Sequence, residues 1–138
     1  MYKIIIDTNL WISYLIGKKV QNLRELCFYK DISVITCQRI IEEFVDVSSR
    51  AHIKKYVDTL DIIEAIDLIK EFCVDVPLEK VYVPELQDLD DSFLFALSEA
   101  MGANFILTGD KGLLALKSYK ETKIASYSEF VKWYFSSD

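Results

Sequence analysis

The chain of 138 residues is long enough to bury a core, and 51% hydrophobic with 28% charged residues is typical of one globular domain over residues 1–138. The formal net charge of −6 argues against a protein that coats DNA, because phosphates are attracted to basic patches. No apolar run suits a membrane span or a secretory signal, and three widely spaced cysteines without a CxxC pair predict reduced thiols in the cytoplasm.

The first half of the chain alternates strand and helix patterns. Residues 4–6 are three isoleucines without polar alternation, which is typical of a strand buried on both faces of a parallel sheet. A helix is predicted over 10–15, with Gly17 as its stop. The next predicted elements are a helix over 20–29, a strand over 32–36, a helix over 38–47, a helix over 60–72 and a short strand over 73–76. The basic stretch 48–56 is interpreted as a turn or a solvated helix face, with contact to a substrate backbone as the alternative.

The second half continues the alternation. Its predicted elements are an acidic helix start at 88–91, an apolar helix to residue 101, a strand over 104–108, a short helix from Leu113, a strand over 123–125 and an aromatic-rich helix over 128–135. Residues 84–87 are predicted to form a loop. Strands that alternate with helices imply right-handed crossovers, so the sequence predicts a three-layer α/β/α domain with a central parallel sheet of about four to five strands.

Two acids follow apolar strands and precede helices. Asp7 ends the first strand, and Asp110 lies just beyond the strand over 104–108. Taken alone, Asp7 fits a helix cap as well as an active-site acid. All strands of a parallel sheet end at the same edge, where α/β proteins bind their ligands, so the two acids can meet if their strands are neighbours. An acid between a strand and a helix thus occurs twice, at Asp7 and at Asp110, and this recurrence favours a functional site.

Further acids are predicted near the same edge. Helix capping explains one or two of Asp88, Asp90 and Asp91, but not three acids within four residues. Glu43 lies about one turn into the helix that follows the second strand, and the adjacent Glu42 points roughly 100° away from it.

Thr108 lies at the end of the strand predicted over 104–108. Its hydroxyl can bond an acid or a metal-bound water, or Thr108 can simply be a β-branched residue that ends the strand. The sequence leaves both interpretations open.

Clustered carboxylates repel one another unless a divalent cation neutralises them, and oxygen ligands select Mg²⁺ or Mn²⁺ over zinc. Such cations generate hydroxide near neutral pH and stabilise charge on phosphoryl oxygens, which is the chemistry of phosphodiester hydrolysis. This chemistry needs no histidine, and the chain has only His52. The negative net charge does not oppose it, because the cation meets the phosphate.

At these residues the sequence resembles the PIN-domain ribonucleases, which include the VapC-like toxins of toxin–antitoxin pairs. The resemblance rests on IIIDTN at 4–9, RIIEEF at 39–44, DLDD at 88–91 and LTGDKGLL at 107–114, which occur in the same order across nearly the whole chain. It implies a single PIN-like, 5′-nuclease-like domain that cuts RNA with Mg²⁺ or Mn²⁺. It also implies an antitoxin protein and a second copy of the chain as partners, and no membrane.

By the same resemblance, four acids are the metal-binding and catalytic residues, with two residues in support: Asp7, Glu43, Asp91 and Asp110, supported by Asn9 and Thr108. Glu42 is the alternative to Glu43, which is preferred because the family's acid comes last before the apolar Phe44. Asp88 and Asp90 are alternatives to Asp91, which is found by counting back from Asp110 without a gap. Leu89 stands where the family often has proline.

Other functions fit less well. A haloacid-dehalogenase-like phosphatase needs a second acid where Asn9 stands, and a receiver domain needs a phosphoacceptor at the end of the third strand, where Val76 and Pro77 follow Asp75. A structure-specific DNA nuclease would be short here and would lack a helical clamp. A non-catalytic module that binds nucleic acid or protein would make the acid pattern an accident. The aromatic residues near the C-terminus are interpreted as core rather than interface.

Overall fold

A six-stranded sheet forms the centre of the part of the chain that the computed structural model describes, residues 1–77 and 89–136 without the side chains of 89–92. The strands are β1 (Tyr2–Ile6), β2 (Ile32–Cys37), β3 (Val74–Val76), β4 (Phe105–Leu107), β5 (Ser118–Tyr119) and β6 (Thr122–Ala125). Their order across the sheet is β3-β2-β1-β4-β6-β5, and every neighbouring pair is parallel except β5 and β6.

Helices connect and cover these strands. In the described ranges they are α1 (Thr8–Ile16), α2 (Val20–Leu26), α3 (Gln38–Ser48), α4 (Ala51–Lys54), α5 (Thr59–Phe72), α6 (Leu89–Met101), α7 (Lys111–Leu116) and α8 (Tyr127–Ser136). Gly102 follows α6 with φ of +63°, a conformation that glycine adopts without strain, as expected of a helix stop. None of the described helices is long and apolar enough to cross a membrane.

The core is divided between the two faces of the sheet. Ile4 and Ile6 pack on one face with residues of α1, α3, α5 and α8, whereas Ile5 packs on the other face with Ile106 of β4 and residues of α6 and α7. All three isoleucines of β1 are at most 1% exposed. The predicted three-layer α/β/α class and the strand buried on both faces are therefore confirmed.

The sheet differs from the prediction at one edge. Five strands are parallel, as predicted, but β5 adds a two-residue antiparallel strand that pairs with β6. Two residues carry no periodicity from which a strand could be recognised. Lys117 and Lys120 on either side of β5 have positive φ, which lysine rarely adopts, so residue type does not predict a turn there.

Some element ends also move. Helix α2 stops at Leu26, α6 begins at Leu89 and α7 begins at Lys111, each within a few residues of its predicted limit. The predicted loop over 84–87 lies outside the described residues. Phe130 of α8 is fully buried, with Trp133 and Tyr134 packed against the same cluster, so these aromatics belong to the core as expected, whereas Phe135 is 56% exposed and does not. Cys27, Cys37 and Cys73 are free thiols.

Helix α5 supports α3 from outside and begins with a reciprocal cap. The Asp58 carboxylate accepts from the Asp61 N–H at 3.0 Å, and the Asp61 carboxylate accepts from the Asp58 N–H at 3.2 Å. This arrangement satisfies backbone donors that the first turn of a helix leaves without partners.

Replacement Asp58→Ala should lower the free energy of unfolding by about 1 kcal/mol, because the first turn of α5 loses its side-chain acceptor. Urea denaturation measures this difference. Asp67→Ala, on an exposed position of the same helix, is the matched control and should change stability by less than about 0.5 kcal/mol. Equal losses in the two variants would show that the cap contributes nothing of its own.

Candidate active site

The candidate site forms where β1 and β4 end side by side. Ile6 pairs with Leu107 in parallel register, and the Asp7 N–H donates to the Leu107 carbonyl at 2.9 Å. The residues after both strands therefore emerge at the same edge of the sheet. The strands before Asp7 and Asp110 are therefore neighbours, which is what the two acids need in order to meet.

A single threonine hydroxyl connects the two acids. Thr108 Oγ1 donates to Asp7 Oδ2 at 2.8 Å and accepts from the Asp110 N–H at 3.0 Å. Thr108 is 0% exposed and Asp7 is 7% exposed, so their contact is buried, while the contact of Thr108 with the Asp110 N–H is partly buried. Of the interpretations left open for Thr108, the structure supports the hydrogen bond to an acid.

Asp7 and Asp110 precede helices in the same way, but their side chains are used differently. Asp110 Oδ2 accepts from the Leu113 N–H at 2.8 Å and so caps α7. The Asp7 side chain makes no capping bond to α1, although it stands at the cap position. Asp7 is therefore the N-cap residue of α1 by position and through its backbone carbonyl, while its carboxylate bonds Thr108.

The acids line a cavity of about 730 Å³ at this edge. Its charged lining consists of the carboxylates of Asp7, Glu42, Glu43, Asp46 and Asp110 and the guanidinium groups of Arg39 and Arg50, and Thr8 and Asn9 are its uncharged polar residues. Ile40, Val47, Phe93, Leu94 and Leu113 contribute the apolar part of the wall. The structure thus brings Asp7, Asn9, Glu42, Glu43 and Asp110 to one cavity.

The two adjacent glutamates of α3 have different surroundings. Glu42 is exposed, lies 3.4 Å from Gln38 Nε2 as a hydrogen-bond acceptor, and also lines the neighbouring groove between α3 and α5. Glu43 is partly buried and lines the acidic cavity without lining that groove. The difference follows from their separation by one residue on a helix.

The acids at 88–91 are only partly covered by the structure. Asp88 lies outside the described residues, and Asp90 and Asp91 stand in the first turn of α6, where side chains are not described. Phe93 and Leu94, which follow directly on α6, line the cavity. The backbone of this helix therefore begins beside the other acids.

The chemistry of the donor set fits a hard cation. Carboxylate and amide oxygens line the cavity, and its described lining contains neither histidine nor cysteine. Among side chains that the structure describes, no three from His, Cys, Asp and Glu are grouped closely enough to hold a metal ion.

Two charged cavity residues were not expected from the sequence, Arg39 and Asp46. Arg50 pairs with Asp46 at 3.0 Å, and the Arg39 guanidinium carbon lies 4.5 Å from the centre of the Phe93 ring. Arg50 belongs to the stretch for which contact to a substrate backbone was the alternative, and its side chain is 55% exposed. Arg39 lies one helical turn before Glu43, and this spacing was the feature of the sequence from which its place in the cavity could have been predicted.

The PIN domain family model matches residues 3–112, which contain Asp7, Thr108 and Asp110. This chain belongs to the PIN domain family. PIN domains are generally nucleases and typically use divalent metal ions. Among curated protein sequences, none matches the chain significantly.

Solved structures share the PIN fold. The chain superposes on the PIN domain endonuclease Utp24 with a TM-score of 0.55 and 17% identity, covering 90% of this chain and 84% of that one. For PAE2754 from Pyrobaculum aerophilum the TM-score is 0.61 at 13% identity, with 95% and 88% covered. For VapBC2 from Rickettsia felis, solved with a DNA fragment from its promoter, the TM-score is 0.54 at 13% identity, with 88% and 96% covered.

Replacement Thr108→Val should lower the free energy of unfolding by about 1–3 kcal/mol, because it removes one hydrogen bond of the buried Asp7 carboxylate and the acceptor of the Asp110 N–H. Urea denaturation measures the loss. Thr108→Ser keeps the hydroxyl and should cost only about 1 kcal/mol for the lost methyl. A serine variant as unstable as the valine variant would mean that the hydroxyl contributes little.

Replacement Gly112→Ala should move the Asp110 carboxylate, because a Cβ at 112 would lie 3.1 Å from Asp110 Oδ2. Alanine favours helices over glycine by about 1 kcal/mol, so the thermal midpoint should fall less than a steric clash alone predicts. A crystal structure of the variant would reveal the displacement. An unmoved Asp110 side chain would contradict this expectation.

Proposed function

We propose that this protein is a metal-dependent endoribonuclease, with residues 1–138 as one PIN-like domain that acts in the cytoplasm as the toxin of a toxin–antitoxin pair. The observation that carries the proposal is the threonine bridge between Asp7 and Asp110 at the wall of an acidic cavity that Glu43 also lines. Membership of a nuclease family supports the reaction class.

The proposed ligands of Mg²⁺ or Mn²⁺ are Asp7, Glu43, Asp91 and Asp110. When bound, the cation supplies a hydroxide nucleophile near neutral pH and offsets the negative charge that develops on the phosphoryl oxygens. Thr108 fixes the orientation of the Asp7 carboxylate through its 2.8 Å bond and holds the backbone before α7 in place. Asn9, exposed at the cavity, adds a neutral donor and acceptor for substrate or water.

Glu43 is preferred over Glu42 as the ligand on α3. Glu42 is exposed and also lines the neighbouring groove between α3 and α5, whereas Glu43 is partly buried and lines the acidic cavity but not that groove. Asp91 is preferred over Asp88 and Asp90 on the motif alone. The cleavage rates of single variants at Glu42 and Glu43, and at Asp88, Asp90 and Asp91, distinguish these alternatives.

The toxin role is supported by the motifs shared with VapC-like toxins and by the fold shared with VapBC2, which was solved with a DNA fragment from its promoter. An antitoxin protein and a second copy of this chain are the proposed partners. Co-expression with the product of a neighbouring small reading frame tests the first partner, and light scattering of the purified chain tests the second.

The deciding experiment incubates purified protein with a labelled single-stranded RNA, and with DNA of the same sequence, in Mn²⁺, Mg²⁺ or chelator. Cleavage should require the metal and be selective for RNA. Variants Asp7→Asn, Glu43→Gln, Asp91→Asn and Asp110→Asn should each reduce the rate at least about 100-fold, because charge stabilisation in such sites is worth several kcal/mol. Asparagine at 110 still caps α7, so the fold should survive.

Asp67→Asn is the matched control, since it removes one exposed carboxylate far from the cavity lining. It should cleave at the rate of the parent protein. Cleavage in chelator, or full activity in Asp7→Asn, would overturn the proposal. Cleavage of DNA but not RNA would reassign the substrate.

Metal binding has an independent readout in thermal stability. A saturating concentration, about 100 times the dissociation constant, should stabilise the parent protein by about 2.7 kcal/mol, which raises the melting temperature by about 9 °C. The rise should be much smaller in Asp7→Asn. An equal rise in both proteins would place the cation elsewhere.

A further inference from the structure

Arg39 is clamped at the wall of the acidic cavity by an aromatic ring. It stands in the first turn of α3, and its guanidinium carbon lies 4.5 Å over the ring of Phe93 on α6. Phe93 is only 4% exposed, so the ring is a fixed support. Cation–ring contacts of this kind hold a guanidinium in place while leaving it charged.

Arg39 stands three and four residues before Glu42 and Glu43, the spacings at which side chains on a helix can form ion pairs. Among the described arginines of the cavity, Arg50 pairs with Asp46, whereas Arg39 is held over the ring of Phe93. A guanidinium held over a ring keeps N–H donors for a further acceptor.

The charges of the cavity show why that acceptor matters. Five carboxylates line it and would repel a phosphate backbone, while the nearby Arg50 is already paired with Asp46. Of the two guanidinium groups in the described lining, Arg39 is the one held over an aromatic ring. A planar fork of donors matches the oxygens of a phosphodiester.

We propose that Arg39, supported by Phe93, binds a backbone phosphate of the nucleic-acid strand beside the bond that the acids cut. This inference rests on the proposed nuclease function. Arg39 acts as a substrate-binding residue that draws the strand into a cavity of like charge. The ring sets the guanidinium at the rim, so the bound phosphate lies next to the acids rather than between them.

Binding is measured first, with a labelled single-stranded RNA oligonucleotide and protein carrying Asp110→Asn to suppress cleavage. Adding Arg39→Gln should weaken binding about tenfold and reduce the slope of log affinity against log salt by about 0.7, the value for one lost phosphate contact on a single strand. Arg39→Lys should recover part of the affinity, because it restores the charge but not the planar fork.

Arg24→Gln is the matched control. Arg24 also lies over aromatic rings, 4.7 Å from Phe28 and 5.3 Å from Phe72, but it is not part of the cavity lining. The control therefore loses the same charge and the same type of contact. It should bind RNA as the parent does, and an equal effect of the two glutamine variants would overturn the inference.

Kinetics of the otherwise native chain separate binding from stability. Arg39→Gln should raise KM about tenfold and change kcat much less, as expected when an interaction is made equally in the ground state and the transition state. Phe93→Leu keeps the charge at 39 and an apolar side chain at 93, and it should raise KM by a smaller factor. An unchanged KM in both variants would contradict the inference.

Failure of the inference can be told from failure of the proposed function. Normal cleavage and binding by Arg39→Gln would overturn the role of Arg39 and leave the nuclease function standing. Binding that depends on Arg39, without cleavage by the parent protein, would support the phosphate contact and overturn the nuclease function. No binding by the parent protein would overturn the inference.

Discussion

The hydroxyl of Thr108 is the contact on which the geometry of the site depends. It donates to one acid and accepts from the backbone of the other, so the ends of β1 and β4 are joined through one buried atom. A hydroxyl can serve both contacts because it carries one donor and two lone pairs. The parallel pairing of the strands brings the acids together, and the hydroxyl then sets the direction of the Asp7 carboxylate.

The remaining structure supplies the walls around this contact. Helix α3 follows the neighbouring strand β2 and carries Glu43 and Arg39, while α6 packs on the opposite face of the sheet and carries Phe93. The contact of Arg39 with Phe93 therefore joins two helices at the wall of the cavity. Both helices also contribute side chains to the buried core.

Much of this arrangement follows from the sequence. The isoleucines of β1 predict a strand buried on both faces, and the recurrence of an acid after β4 predicts a shared edge. Strand β5 could not be foreseen, because two residues have no period and its flanking lysines give no turn signal. The sequence also does not predict that the Asp110 side chain caps its helix while the Asp7 side chain does not, since both residues occupy the same position before a helix. The stack of Arg39 joins residues far apart in the chain, so local patterns do not reveal it.

The capping bond of Asp110 has a consequence for the order of folding and metal binding. The amides at the start of α7 carry a partial positive charge and engage Asp110, while a hydroxyl engages Asp7, so the chain itself offsets part of the repulsion between its acids. In small zinc domains, by contrast, the metal supplies the folding free energy. In this chain the hydrophobic layers and these internal donors hold the acids in place, so under the proposed function folding would not depend on the cation.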